Sequence, residues 1–218
     1  MMLIYYGHPF SSYSWKGQIA LYEKGLDFEY RNVDPEFPDH GKELQALWPI
    51  GKFPVLVDGD RTLFETSIII EYLDRLQPEP LLIPEDRDAA LRVRQMDRVF
   101  DLHLMAVMQE IVNDRIRGPE GHAPMIIERA RGALDTVYAW LDTQLAGGGW
   151  ATPDGFTLAD CAAAPSLFYA DWVHEIPAQY ENLRAYRARL LARPSVARAV
   201  DGGRPYRHYF PGGAPDRD

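Results

Sequence analysis

Cysteine is nearly absent: Cys161 is the only one in 218 residues. A lone cysteine excludes an intrachain disulfide, and the lack of a CxxC pair argues against thioredoxin-like disulfide exchange. Long apolar runs are also missing. The richest stretch, 158–170, is interrupted by Asp160 and Pro165 and falls short of the ~18 apolar residues of a membrane span. The opening MMLIYYGHPF has no basic segment, so no secretory signal is expected and the expected location is the cytoplasm. Positive charge is in deficit, 23 Lys and Arg against 32 Asp and Glu, for a net charge of -9. That surface repels phosphate backbones and anionic bilayers, which argues against nucleic acid or membrane as partner. The six histidines are scattered without metal-ligand spacing, so no metal is expected. No phosphate-binding glycine loop and no G-x-S-x-G elbow occurs.

What is present is an ordinary globular composition, 46% hydrophobic and 25% charged, long enough to bury a core without staples. The first eighty residues mix strand and helix signals. Leu3-Ile4-Tyr5-Tyr6, closed by Gly7 and Pro9, predicts a buried strand. Ser11 and Ser12 offer N-caps. Trp15, Ile19 and Tyr22 share one helix face, and Gly25 stands where a helix-ending glycine belongs. Phe28 to Val33 predicts a second strand, and residues 34–43, with Pro35, Pro38 and Gly41, a loop. Pro54 to Val57 and Leu63-Phe64 flank the Asp58-Gly59 turn, and Thr66 to Leu76 predicts a helix. The order βαβ-ββα gives an α/β domain over 1–76. The proline-rich 77–87 predicts a linker.

Residues 88–218 predict an all-helical bundle. A broad apolar stripe runs from Leu91 to Ile111, and a second long helix from Met125 to Leu145. Thr157 and Asp160 have capping-box spacing at the start of a helix through 173. Shorter helices are expected over 181–192 and 195–200. Thr157 and Asp160 are expected to serve folding, and Cys161 to be a packed, inert thiol.

Three segments in register, SSYSWKGQIALYEKG (11–25), WPIGKFPVLVDGDRTLFETSIIIEYL (48–73) and FTLADCAAAPSL (156–167), together resemble the glutathione transferase superfamily over nearly the whole chain. The first looks most like zeta-class enzymes and the second like phi-class ones. The resemblance implies a thioredoxin-like glutathione-binding domain followed by the helical domain. It also implies a cytoplasmic homodimer acting in detoxification, with glutathione as co-substrate and a small hydrophobic electrophile as partner. The chain departs from zeta enzymes in Tyr13, which replaces a cysteine, and in Trp172. By register Trp172 stands where maleylacetoacetate isomerases place a carboxylate-binding arginine, which argues against an isomerase. Trp48 replaces the usual asparagine before the loop proline.

Glutathione has two carboxylates, an amine and a thiol, and each needs a partner. The resemblance implies a cis Pro54 that exposes the Phe53 main chain to pair with the cysteinyl backbone. Glu65 would take the α-amine, and Thr66, opening a helix, the γ-glutamyl carboxylate; plain helix capping is the competing role of both. Lys52, with Lys42 and His40 behind it, would meet the glycyl carboxylate. A free thiol has a pKa of ~8.5, and lowering it by ~2 units takes ~2.7 kcal/mol of anion stabilisation. A hydroxyl at a helix N-terminus is of that size. By register Ser11 fits that role, as a donor and not a nucleophile, with Ser12, Tyr13 and Tyr6 as rivals. Phe10, Phe100, His103, Leu104, Met108 and Trp172, with Tyr209 and Phe210 of the tail, are candidates for the second-substrate pocket. The alternatives are a glutathione-dependent isomerase or dehalogenase, or a non-catalytic glutathione-binding protein.

Overall fold

The computed structural model of the chain describes residues 2–218. Four strands form one sheet in the order β2-β1-β3-β4. They are β1 (Leu3–Gly7), β2 (Phe28–Asn32), β3 (Val55–Asp58) and β4 (Arg61–Phe64). β1 and β2 run parallel, which requires a crossover, and α1 (Ser12–Glu23) supplies it. β3 is antiparallel to both β1 and β4. The period of two along each strand sorts side chains to opposite faces. Leu3, Tyr5 and Leu56 join the main core with Trp15 and Ile19 of α1 and Ile69, Ile70 and Leu73 of α3 (Thr66–Leu76). Ile4, Tyr6, Val55 and Val57 face the other way, onto Leu44 and Leu47.

Those two leucines belong to α2 (Pro38–Leu47), where the sequence predicted a loop over 34–43. Pro38 occupies the helix's first turn, where its missing N–H costs nothing. Only Leu44 of this helix is buried, so the apolar period is too sparse to announce it. Gly25 has φ +60 and ends α1 in the left-handed conformation expected of it.

The proline-rich segment after α3 is stapled to the sheet domain. The fully buried ammonium of Lys24 contacts Asp74 Oδ1 at 2.5 Å and donates to the carbonyls of Gln77 (2.8 Å) and Pro80 (2.5 Å). Asp74 in turn accepts from the amides of Leu82 and Ile83.

The remaining helices are α4 (Arg87–Val99), α5 (Ala106–Arg117), α6 (Pro124–Gln144), α7 (Leu158–Val173), α8 (Glu181–Leu191) and α9 (Pro194–Gly203). Phe100–Met105 joins α4 to α5 as a π-helical segment. Arg204–Tyr209 forms a 3-10 turn in the tail. Every residue of α7 is buried, and α1, α4, the π segment, α5 and α8 pack around it. Its start is held as the capping-box spacing predicted. The buried Asp160 carboxylate accepts from the amides of Thr157 (2.9 Å) and Ala151 (2.9 Å) and from the Tyr186 hydroxyl (2.7 Å). Cys161 is fully buried, and burial pushes its thiol pKa far up, which leaves it unreactive. None of the helices among the described residues is long and apolar enough to cross a membrane.

α1 contacts α7 and α9 as well as the sheet, where the Tyr5 hydroxyl donates to the Ser14 carbonyl. Gly203, the last residue of α9, lies so close that a Cβ there would stand 2.5 Å from the Trp15 ring and 3.0 Å from the Pro9 carbonyl. The fully buried ammonium of Lys16, on α1, contacts Asp97 (2.6 Å) and Asp101 (2.7 Å) and donates to Ser67 (2.9 Å). It thereby ties the sheet domain to α4 and the π segment. Burial raises the Asp101 pKa, against the pull of Lys16.

Candidate functional site

A cavity of about 580 Å³ opens between the sheet domain and the helices. One side is the turn from β1 into α1, with His8, Phe10, Ser11, Ser12 and Tyr13, faced by Gly51, Lys52 and Phe53. The other is α5, with Met108, Val112 and Ile116, and the tail residues Tyr209, Phe210 and Pro211.

Ser11 is the N-cap of α1, and its Oγ accepts from the Ser14 amide at 3.3 Å. This uses a lone pair and leaves the hydroxyl hydrogen to give. The Ser11 amide donates to the His8 carbonyl at 2.9 Å. Ser12 and Tyr13 are the next residues of the helix, and a first turn has no intrahelical acceptors for its amides. Burial and the nearby Asp101 push the Tyr13 pKa up to about 12, so its phenol stays neutral at physiological pH.

The Phe53–Pro54 bond is cis, as the resemblance implied. A second, adjoining cavity of about 420 Å³ shares Tyr13 with the first and is lined by Glu65, Thr66, Ser67, Arg94, Asp97 and Arg98. Here α3 begins without a side-chain cap. Glu65 has φ 67 and ψ 110; it is the one non-glycine residue with positive φ among the described residues. Such a conformation costs of order 1–3 kcal/mol and is held by its surroundings. Its carboxylate does not cap α3. The Thr66 hydroxyl makes only a long contact of 3.5 Å to the Tyr13 carbonyl, and Ser67 is spent on Asp97. The positive end of α3 is therefore open to an anion.

The structure removes several sequence candidates from the cleft. Tyr6 lies on the α2 face of the sheet, where its hydroxyl donates to Glu43 and accepts from Arg31, both at 2.9 Å. Lys42 is exposed and pairs with Asp39, while the His40 ring bonds the Asn32 carbonyl; neither lines the cavity. Phe100 and Leu104 are fully buried in the core, and His103 is exposed outside the cavity. Trp172 is buried behind the wall, packed against Phe10 and Phe210. The stripe through Phe100, Leu104, Met108 and Ile111 stays on the buried face across the π segment, and it meets the cavity only at Met108.

Sequence reasoning missed His8, Gln109, Val112, Asn113, Ile116, Tyr169 and Pro211, all of which line the cavity. Val112 and Ile116 follow Met108 at i+4 and i+8, a signal that was available. His8, between Gly7 and Pro9 at a strand end, carried no recognisable spacing.

Residues 6–81 match the family described as glutathione S-transferase, N-terminal domain, and residues 124–189 the C-terminal domain of the same family. Among curated relatives, a stringent starvation protein A homolog of Coxiella burnetii is 32% identical over 89% of each chain. A probable maleylacetoacetate isomerase of Vibrio cholerae is 30% identical over 94% of this chain and 98% of that one. A glutathione S-transferase from Methylobacillus flagellatus, crystallised with glutathione bound, superposes with a TM-score of 0.80 at 28% identity, over 90% of this chain and 98% of its own. By domain content, sequence and architecture alike, the chain belongs to the glutathione S-transferase superfamily.

Proposed function

We propose that the protein is a glutathione transferase that binds reduced glutathione, lowers the pKa of its thiol and adds the thiolate to a small hydrophobic electrophile. The observation that carries this is Ser11. Its hydroxyl lies in the cleft at the N-terminus of α1 with a lone pair engaged by Ser14 and its hydrogen free. A donor there favours the anion, and the helix dipole adds to it. The thiolate that results is the nucleophile; the serine forms no bond to the electrophile.

The two adjoining cavities support a placement for the rest of the tripeptide. The Phe53 main chain, beside the thiol position, pairs with the cysteinyl backbone. Lys52 takes the glycyl carboxylate. The open N-terminus of α3 takes the γ-glutamyl carboxylate with Thr66, and the uncommitted Glu65 takes the amine. The electrophile occupies the apolar side, against Phe10, Met108 and the tail.

Similarity to a probable maleylacetoacetate isomerase keeps a glutathione-dependent isomerase as the second reading. No arginine lines the main cavity among the described residues, and Trp172 is buried. A dicarboxylate would therefore find Lys52 as its one strong cation. A homodimer is proposed as well; it is supported by exposed Ile68, Leu91 and Leu102 on α3, α4 and the π segment, and light scattering at monomer mass would remove it.

The test is calorimetry with reduced glutathione, an ultraviolet titration of the bound thiol, and product analysis with aromatic electrophiles. Saturable binding, a thiol pKa below ~8.5 and a stable thioether are expected. Regenerated glutathione points to the isomerase. Binding without a lowered thiol pKa points to a non-catalytic binding protein.

A further inference from the structure

We propose that His8 is a positioning residue for thiol activation: its imidazole braces the Pro9–Phe10–Ser11 turn and so fixes where the Ser11 hydroxyl stands. The inference rests on the assignment of Ser11 as the donor to sulfur.

His8 follows the last residue of β1 and lines the cavity. Its Nδ1 lies 3.1 Å from the Phe10 amide and its Nε2 3.0 Å from Asp34 Oδ2. An amide N–H can only donate, so Nδ1 is the bare nitrogen, and Nε2 carries the hydrogen given to Asp34. Both ring nitrogens are thus committed to the protein, and the imidazole braces the turn without acting as a base toward the ligand.

The brace is anchored at its far end. The Asp34 side chain is 2% exposed and accepts from the Glu36 amide at 2.9 Å, and Tyr209 stands beside it. The Glu36 amide, with His8 and Tyr209, holds the Asp34 carboxyl below the ordinary carboxylate range despite burial. The ring packs edge-on against Tyr206 (5.1 Å between centroids) and Tyr209 (5.6 Å), which stack on each other in the tail.

Its leverage on Ser11 is direct. Through its ring His8 holds residue 10, through its carbonyl it accepts the Ser11 amide, and through its own amide it donates to Ser14 Oγ at 3.2 Å. Capping of α1 does not need the ring, because Ser11 Oγ supplies that bond. What the Nδ1 bond adds is the direction of the turn, and a misplacement of about 1 Å costs up to ~100-fold in rate.

Two substitutions separate the two nitrogens. In His8→Asn the side-chain oxygen reaches the Nδ1 position and still accepts from Phe10. In His8→Gln the amide reaches the Nε2 position and still donates to Asp34, while the Phe10 amide loses its acceptor. Expected for H8Q are a kcat lower by about 10- to 100-fold, a raised bound-thiol pKa and a glutathione KM within ~3-fold of the parent. H8N is expected to rescue kcat to within ~3-fold. Parent-like kcat in H8Q, or equal loss in both variants, overturns the proposal. In the unsubstituted protein, nitrogen NMR must show Nδ1 unprotonated and Nε2 protonated; the opposite tautomer overturns it without any variant. Ser11→Ala distinguishes the levels: if it turns over like the parent, the assignment of Ser11 fails, whereas an inactive S11A beside a parent-like H8Q removes His8 alone.

Discussion

The two walls of the cleft are built by different means. On the wall that carries Ser11, every polar main-chain atom from His8 to Ser11 is bonded. The His8 amide goes to Ser14 Oγ, and the Ser11 amide to the His8 carbonyl. The Pro9 carbonyl accepts from the Trp15 ring at 2.5 Å, and the Phe10 carbonyl from the Tyr169 hydroxyl at 2.8 Å. The Phe10 amide goes to His8, and the Ser11 carbonyl accepts from the Trp15 amide. Tyr169 is on α7, so both domains contribute to the turn. The opposite wall is the α5 face and the tail, where Met108, Val112, Ile116 and Phe210 make apolar contact. Its side-chain hydrogen bonding includes a Gln109–Asn113 pair at 3.1 Å and a long Arg115 contact to the Pro211 carbonyl at 3.4 Å. Directional bonds fix an atom in place, whereas apolar packing accepts exchange of similar volumes. The first wall suits one constant substrate group, the thiol; the second suits electrophiles of varied shape.

The most drastic way to break this contrast is alkali. The bonded wall hangs on buried phenols: Tyr169 holds Phe10, and Tyr5 donates to the Ser14 carbonyl at 2.8 Å. Burial raises both pKa values well above the ordinary range, and Tyr13 to about 12. The folded chain therefore keeps protons that the unfolded chain releases near pH ~10. The stability they confer is complete below that pH and is lost as pH rises through the folded values. Circular dichroism should show cooperative unfolding above pH ~10, with tyrosine ionisation coincident with it. Phenols that titrate near ~10 in a protein still folded would show the wall is not so held.

Ser11→Ala is next in size. Removing one donor to a developing or bound anion costs about 100-fold in turnover, and the bound thiol should return toward pKa ~8.5. Glutathione should still bind, since the groups proposed to hold the rest of the tripeptide, at Phe53, Lys52, Glu65 and Thr66, remain. Loss of the cap to Ser14 should cost a further ~1 kcal/mol of stability. Unchanged turnover would transfer the role to Ser12 or Tyr13, the other hydroxyls of the α1 N-terminus that line the cavity.

The same contrast explains what was legible in the sequence. The strands, α1, α3 and the capped α7 could be read because each is local: a period, a cap, a turn glycine. Ser11, Lys52 and Phe53 could be placed in the cleft because they sit at element ends that the motifs mark. The α5 wall was not legible, because a helix face becomes a pocket only through what lies opposite it. Phe100 and Leu104 share the buried stripe with Met108, but core lies opposite them and the cavity opposite Met108. α2 escaped because burying Leu44 alone leaves no repeating pattern. His8 escaped because its partners, Asp34 and Tyr209, are brought to it by the sheet and the tail.

Two smaller substitutions sharpen the contrast. Tyr169→Phe leaves the packing in place and strips one bond, so the half-buried Phe10 carbonyl loses its donor. That should cost ~1 kcal/mol in thermal or denaturant unfolding and lower kcat by roughly 10-fold as the turn loosens. Val112→Ala acts on the other wall. It removes apolar surface where nothing directional is fixed, at a half-buried position, so stability should fall by only ~1 kcal/mol. The electrophile's KM should change by a few-fold, about 3-fold in either direction according to substrate size. The bound-thiol pKa should not move, because no bond of the His8–Ser11 turn reaches α5. A thiol pKa that shifts in V112A would mean that the two walls are mechanically one, and that the division of labour between them is false.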